Sequence, residues 1–263
     1  MGFNIDDYKQ GAAAVRYDDL DCDDFAARPL SPEALRCLRS MSDIESHTVC
    51  YLRDLLVTPS HTDPTVTTFL TMWNFEEFWH GEALAKVLAA HGIPTGDDHI
   101  RGVRKRLGWH DRMVPIEQAI IANIVGVDYV AVHMSFGAIN EWSAHAAYTR
   151  LMEREDHPVL TRLLTRIIRQ ETRHAAFYAS QARDRLARSA KARKLTRFAL
   201  RKFWLPVGAG ILPEAETRHL LSFLMGGPEG RKLLDRIDEK IDDLPGLAGL
   251  RLVNRAAIRF GAA

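Results

Sequence analysis

The chain has 263 residues, 46% hydrophobic and 26% charged, a composition that fits a globular protein with one sizeable core and excludes a low-complexity or disordered one. Its formal net charge of +1 conceals an acidic start, Asp6 to Asp24, and a basic stretch, Arg183 to Lys202. Three cysteines, Cys22, Cys37 and Cys50, have neither the even number of a disulfide framework nor zinc-type spacing, so reduced thiols are expected.

The first residues lack the basic flank of a signal peptide. No window reaches the roughly 20 uninterrupted apolar residues of a membrane helix. The richest stretch, Ala119 to Ala138, is cut by Asn123, Asp128 and His133. A cytoplasmic protein without a membrane span is the expectation.

Apolar residues recur at helical spacing, bounded by Pro and Gly, with almost no alternating strand pattern. An all-α fold follows. Ser31-Pro32 caps a first helix whose stripe runs Leu38, Met41, Glu45, Val49, Leu52, Leu56. Asp63-Pro64 opens a second, closed by Gly92, with Phe69, Trp73, Glu77, His80, Leu84 and Val87 on one face. Residues 91–113 show no clear period and suit a long connection holding a short helix. Pro115 is expected to start a third helix, ending near Glu155, with Val127, Met134, Ala138, Glu141, Ala144 and Tyr148 aligned. Pro158 starts a fourth, with Leu160, Leu164, Ile167, Glu171, His174 and Tyr178 aligned. The short turn between the last two makes them antiparallel neighbours. Shorter helices follow: a basic one to about Trp204, one after Pro213 and one after Pro228. One domain results, with an arm (1–30), a four-helix unit (31–187) and a helical extension (188–263).

Each long helix carries ionisable residues inside its apolar stripe: Glu45, then Glu77 with His80, then Glu141, then Glu171 with His174. A buried carboxylate needs a partner or a cation, and four converging carboxylates repel one another. Two divalent cations cancel their charge, and the imidazoles complete the coordination as neutral nitrogen donors. In a Glu-x-x-His step the side chains lie on nearly the same helix face, about 4.5 Å apart along the axis. Two such steps alone are unremarkable by chance. The weight rests on the order Glu, Glu-x-x-His, Glu, Glu-x-x-His, each on its own helix, in the di-metal arrangement of ferritin-like four-helix bundles. The interval from Glu45 to Glu77 is short, that to Glu141 about twice as long, and that to Glu171 short again, as for two hairpins joined by a crossover. A third step, Glu216 with His219, lies in the first turn after Pro213 and is read as a helix-terminal glutamate. Trp73, Trp79, Trp142 and Tyr178 are read as core packing.

The segment Asn74-Phe75-Glu76-Glu77-Phe78-Trp79-His80-Gly81-Glu82 resembles the Glu-Glu-x-x-His-Gly segment of soluble acyl-carrier-protein desaturases, and Gln170-Glu171-Thr172-Arg173-His174 resembles their Asp-Glu-x-Arg-His segment. The likeness covers roughly residues 31–187. It implies a ferritin-like four-helix bundle with a long crossover and added C-terminal helices, holding two iron ions, with manganese the alternative metal. Glu77 and Glu171 would bridge the metals, Glu45 and His80 would terminate one, and Glu141 and His174 the other. The implied activity is oxygen-dependent removal of two hydrogens from an acyl chain on acyl carrier protein, with a ferredoxin-type electron donor and a homodimeric enzyme. The basic stretch suits an acidic carrier. The family's threonine three positions after the third-helix glutamate is Ala144 here, beside Ser143, and the carboxylate before the second bridging glutamate is Gln170. With Glu76, these form the candidate outer shell. The ligands do not separate desaturation from an N-oxygenase or hydroxylase, and metal storage is the reading from another class.

Overall fold

The computed structural model describes residues 3–262, and no strand occurs among them. Twelve α-helices follow in order: α1 (Ile5–Gly11), α2 (Asp24–Ala27), α3 (Pro32–Glu45), α4 (Thr48–Leu56), α5 (Pro64–Ala90), α6 (Asp97–Val125), α7 (Tyr129–Glu155), α8 (Pro158–Arg188), α9 (Ala190–Phe203), α10 (Glu214–Met225), α11 (Gly227–Asp242) and α12 (Leu252–Arg259). The caps are those the sequence suggests. Ser31 Oγ accepts from the Ala34 amide at 3.1 Å, and Asp63 Oδ1 accepts from Thr65 and Val66.

Two antiparallel pairs place the site. α7 and α8 are joined only by Asp156 and His157, and they pack closely because Gly137 has no Cβ; one built there would lie 2.3 Å from the Tyr178 ring. α3 runs antiparallel to α5: the Leu30 amide donates to His91 Nε2, and Ser42 Oγ donates to the Gly81 carbonyl. A Cβ on Gly81 would meet Ser46 Oγ at 3.0 Å and Glu45 Cβ at 3.4 Å, so this glycine lets the end of α3 settle on α5 beside Glu45. The core between the pairs includes Leu38, Phe69, Leu84, Met134, Ile139, Ile167 and Phe177, all fully buried. The helices after α8 lie against α7 and α3, where Leu220, Leu224, Leu234 and Ile237 join the same core.

Three expectations are corrected. The first helix does not run unbroken to Leu56: it stops at Glu45, where the His47 amide bonds Ile44 O and Thr48 Oγ1 takes the Glu45 carbonyl. A side-chain hydroxyl competing for that carbonyl ends the ladder. Val49 and Leu56 are consequently exposed.

Pro115 does not start the third helix. It lies inside α6, which is helical from Asp97 with a break at Gly108 (φ 67°), so the stretch read as an aperiodic connection is mostly helix. α7 begins only after Gly126 (φ 77°), a left-handed conformation that ends α6 and leaves Val127 80% exposed. Finally, one 18-residue window within Asp111–Glu155 has a mean hydropathy of 1.5, apolar enough by composition alone to cross a bilayer. In the fold Asp111–Glu155 is two helices broken at residues 126–128, not one rod.

Candidate metal centre

α3, α5, α7 and α8 bring six ionisable side chains to one point. Glu45, Glu77, His80 and Glu171 present ligand atoms within 4.8 Å of one another, and so do Glu77, Glu141, Glu171 and His174. Glu77 and Glu171 belong to both groups. All six are buried. The pairing follows from periodicity: three residues along α5 or α8 return the side chain to the same face, so each helix delivers one shared carboxylate and one imidazole.

Both imidazoles face the carboxylates with Nδ1. His80 Nδ1 lies 3.1 Å from Glu77 Oε2 and 3.2 Å from Glu171 Oε1, and His174 Nδ1 lies 3.1 Å from Glu77 Oε1. Their Nε2 atoms point away, His80 to Gln170 Oε1 and His174 to Glu76 Oε2, each at 2.8 Å. Those oxygens only accept, so Nε2 carries the proton and a neutral ring aims its Nδ1 lone pair at carboxylate oxygens. That arrangement is repulsive unless a proton or a cation lies between. Both oxygens of Glu171 and Nδ1 of His174 are buried without a hydrogen-bond partner. The donor set, four carboxylates and two imidazoles, therefore fits divalent cations of the transition series.

Without a cation the electrostatics are unfavourable. Burial, and then the neighbouring carboxylates Glu77 and Glu171, pushes Glu45 well above the usual carboxylate range; burial and Glu171 do the same to Glu141. Burial alone would push the His80 imidazole down, yet the Glu171 and Glu77 carboxylates facing its Nδ1 hold it at about 10. Protons thus occupy positions that cations would take, and cation binding must release them.

The unshared carboxylates are each held by an aromatic donor. Tyr148 Oη donates to Glu45 Oε1 at 2.5 Å, and Trp73 Nε1 donates to Glu141 Oε1 at 3.0 Å. Trp73 is thus more than packing. Neither role is legible in sequence, because each partner sits 68 or more residues away on another helix.

Outside the histidines lies a connected polar layer. Glu76 Oε2 accepts from His174 and from Tyr8 Oη (2.8 Å); its Oε1 accepts from Arg173 (2.6 Å), Gln170 Nε2 (2.9 Å) and the Ala13 amide (3.3 Å). Gln170 Nε2 also donates to Ala13 O at 2.7 Å. The layer crosses over: the residue before the glutamate of one Glu-x-x-His step supports the histidine of the other. It also explains the glutamine. A carboxylate at 170 would set its oxygens against Glu76 Oε1 and Ala13 O, whereas the amide donates to both. The N-terminal arm, through Tyr8 and Ala13, closes this layer, a part that no motif or periodicity in the arm signals.

Ser143 and Ala144 share the wall of a cavity with Glu45. Ser143 Oγ donates to Ile139 O at 2.7 Å, and both residues line an apolar cleft open to solvent. Met41, Ile44 and Glu45 of α3, Ala147 and Tyr148 of α7, Trp204, and residues of α10, α11 and α12 complete its wall. Glu45 is the only ionisable carboxylate there. The cavity therefore borders one residue of the candidate metal centre.

The third Glu-x-x-His step stands apart, with Glu216 paired to Arg36 at 2.7 Å and His219 Nε2 at 3.2 Å from Glu33 O. In the basic stretch several cations are engaged: Arg185 with Asp63, Arg193 with Leu186 O, and Arg197 with Gly246 O and Ala248 O. Arg183, Arg188, Lys194, Arg201 and Lys202 are exposed.

Fold and site together define an all-helical protein with a buried carboxylate–imidazole centre able to hold metal. Compared with models of protein families, with curated proteins and with solved structures, the chain matches none.

Proposed function

We propose that the protein is a ferritin-like di-iron oxidoreductase that uses oxygen to oxidise an alkyl chain, with acyl carrier protein as carrier and a ferredoxin-type protein as electron donor. The observation that carries this reading is the apolar cavity that reaches Glu45. It supports an enzyme over a storage protein, because storage requires a polar route for ions, not an apolar cleft. Bound iron would supply oxygen reduction and hydrogen abstraction.

The chain's own residues have definable tasks in this reading. Glu77 and Glu171 would hold both metals, Glu45 with His80 and Glu141 with His174 would hold one each, and Gln170 and Glu76 keep each imidazole proton on Nε2. Met41, Ile44, Ala144 and Leu224 exclude water and seat the chain. Tyr148 keeps its proton on Oη and fixes Glu45 at the boundary between cavity and metals.

Two measurements test the proposal. Reconstituted protein should bind about two metal ions per chain; Glu171→Ala should lose them and Glu216→Ala should keep them. With ferredoxin, reductant and stearoyl- or palmitoyl-carrier protein, the product should be lighter by two mass units. A gain of sixteen would assign hydroxylation instead. Oxygen consumption indifferent to any acyl substrate, with no product, would replace this reading by storage or plain oxidase activity.

A further inference from the structure

From Arg185 to Pro213 the chain carries no aspartate or glutamate, and six of the fourteen residues of α9 are lysine or arginine. Helical periodicity sorts them. Ala192, Thr196 and Leu200 face inward and are buried, while Lys191, Lys194, Phe198, Arg201 and Lys202 are exposed and fall within about 100° of one another on the outward side. Phe198 is 56% exposed, and Phe203, 67% exposed, sets its ring 5.9 Å away. A merely solvated face would carry charges of both signs and no aromatic pair. Both ends of this face continue into apolar surface. At its start, Lys191 Nζ donates to Val125 O at 3.2 Å and lies 3.5 Å from Asp128, which ties α9 to the end of α6. After Gly108, α6 turns polar groups inward, Asp111 O to Arg53, Asn123 to Val57 O and Gln118 to Tyr129, and near its end leaves Ile121, Ile124 and Val127 between 60% and 80% exposed. At the other end of α9 the chain alternates: Phe203 and Leu205 stand outward, while Trp204 and Pro206 turn in to line the cavity.

From this we infer that the outward face of α9 is the seat of an anionic lipid bilayer, on which the protein rests peripherally without crossing it. Phe198, Phe203 and Leu205, with Ile124 and Val127 beside them, enter the acyl boundary, and the cations meet the headgroups along their flexible stems. Charge complementarity selects this occupant. A headgroup plane is negative in every direction along the surface, and the face that meets it carries cations alone, extended by Arg183 and Arg188 at the end of α8. An acidic protein would also attract these cations, but it would need a matching pocket for each aromatic tip, whereas the acyl boundary accepts them all. The inference rests on α6 and α9 and is independent of the metal centre.

Co-flotation of the full chain with vesicles tests this. The protein should float with phosphatidylcholine vesicles containing one third phosphatidylserine and not with pure phosphatidylcholine, and high salt should weaken the binding by screening the cations. Lys194→Glu combined with Arg201→Glu should lower vesicle affinity about tenfold or more. Phe198→Ser combined with Phe203→Ser should lower it as far although every cation remains. Lys86→Glu, which removes an exposed cation on α5, should change nothing. Helical circular dichroism should be the same in all of these, because every substituted side chain is exposed. No flotation with the anionic vesicles would overturn the inference. So would binding that survives Phe198→Ser with Phe203→Ser, since charge alone would then explain it, or capture of an acidic carrier protein by this face with no binding to vesicles.

Discussion

Replacing Glu76 by glutamine changes almost no volume, yet it tests the polar layer around the metal centre. The carboxylate accepts from five donors and is fully buried. Burial would raise its pKa, but the hydrogen bonds from His174 and Tyr8 and the Arg173 charge hold it below the usual carboxylate range. In Glu76→Gln the single amide oxygen best serves Arg173, Gln170 and Ala13, which turns the NH2 toward Tyr8 and His174. The tyrosine hydroxyl can rotate to accept. His174 can accept only by giving up the Nε2 proton, which moves to Nδ1, the atom 3.1 Å from Glu77. The lone pair needed for a metal is then lost. The expected cost is about 10–100-fold in metal affinity. The metal-free protein should also lose about 1–3 kcal/mol of stability, for one buried donor left without its acceptor. Chelator competition with cobalt or anaerobic ferrous ion measures the first quantity and urea unfolding the second. The surface control Glu216→Gln should leave metal binding unchanged. Metal affinity of Glu76→Gln within twofold of wild type would refute the reasoning about the histidine proton.

Three further outcomes are expected. Tyr148→Phe should retain metal binding with affinity lowered about tenfold, because Glu45 loses the donor that fixes it; unchanged affinity and an unchanged metal absorption spectrum would show that the hydroxyl does not position Glu45. Ala144→Phe should fill the cavity and lower affinity for an acyl chain at least tenfold while two metals still bind, as read by calorimetry and metal analysis. His133 is buried beside Ser60, and burial, with the Arg185 charge, pushes its imidazole down to about 3 from 6.5. A depressed histidine leaves the unfolded chain binding more protons below pH 6.5, so stability present above that pH is lost as pH falls toward 3. Urea midpoints at pH 7 and pH 5 should therefore show His133→Asn losing less between the two than wild type; equal losses would remove His133 from the acid response.

The side-chain types that form the candidate centre were legible because helical periodicity is a local property. Glu77 with His80, and Glu171 with His174, share a face by spacing alone, and the order of charged interruptions in four apolar stripes marks Glu45 and Glu141 as their companions. Ser31 and Asp63 announce their helices by the same local physics. Helix breaks were less legible. Pro115 reads as a start signal, but Gly108 and Gly126, whose positive-φ backbone depends on what each turn must connect, set the break within α6 and its end. Tertiary structure alone decided the rest. The bonds of Tyr148 to Glu45, Trp73 to Glu141 and Tyr8 to Glu76 join residues 68 or more positions apart, and no periodicity encodes such a contact. The cavity wall is assembled from α3, α7 and the last three helices, and the outward turn of α6 depends on where Arg53, Val57 and Tyr129 stand to receive its polar face. Spacing fixes which side chains share a helix face; which face meets which neighbour follows from how all the helices bury their apolar surface at once.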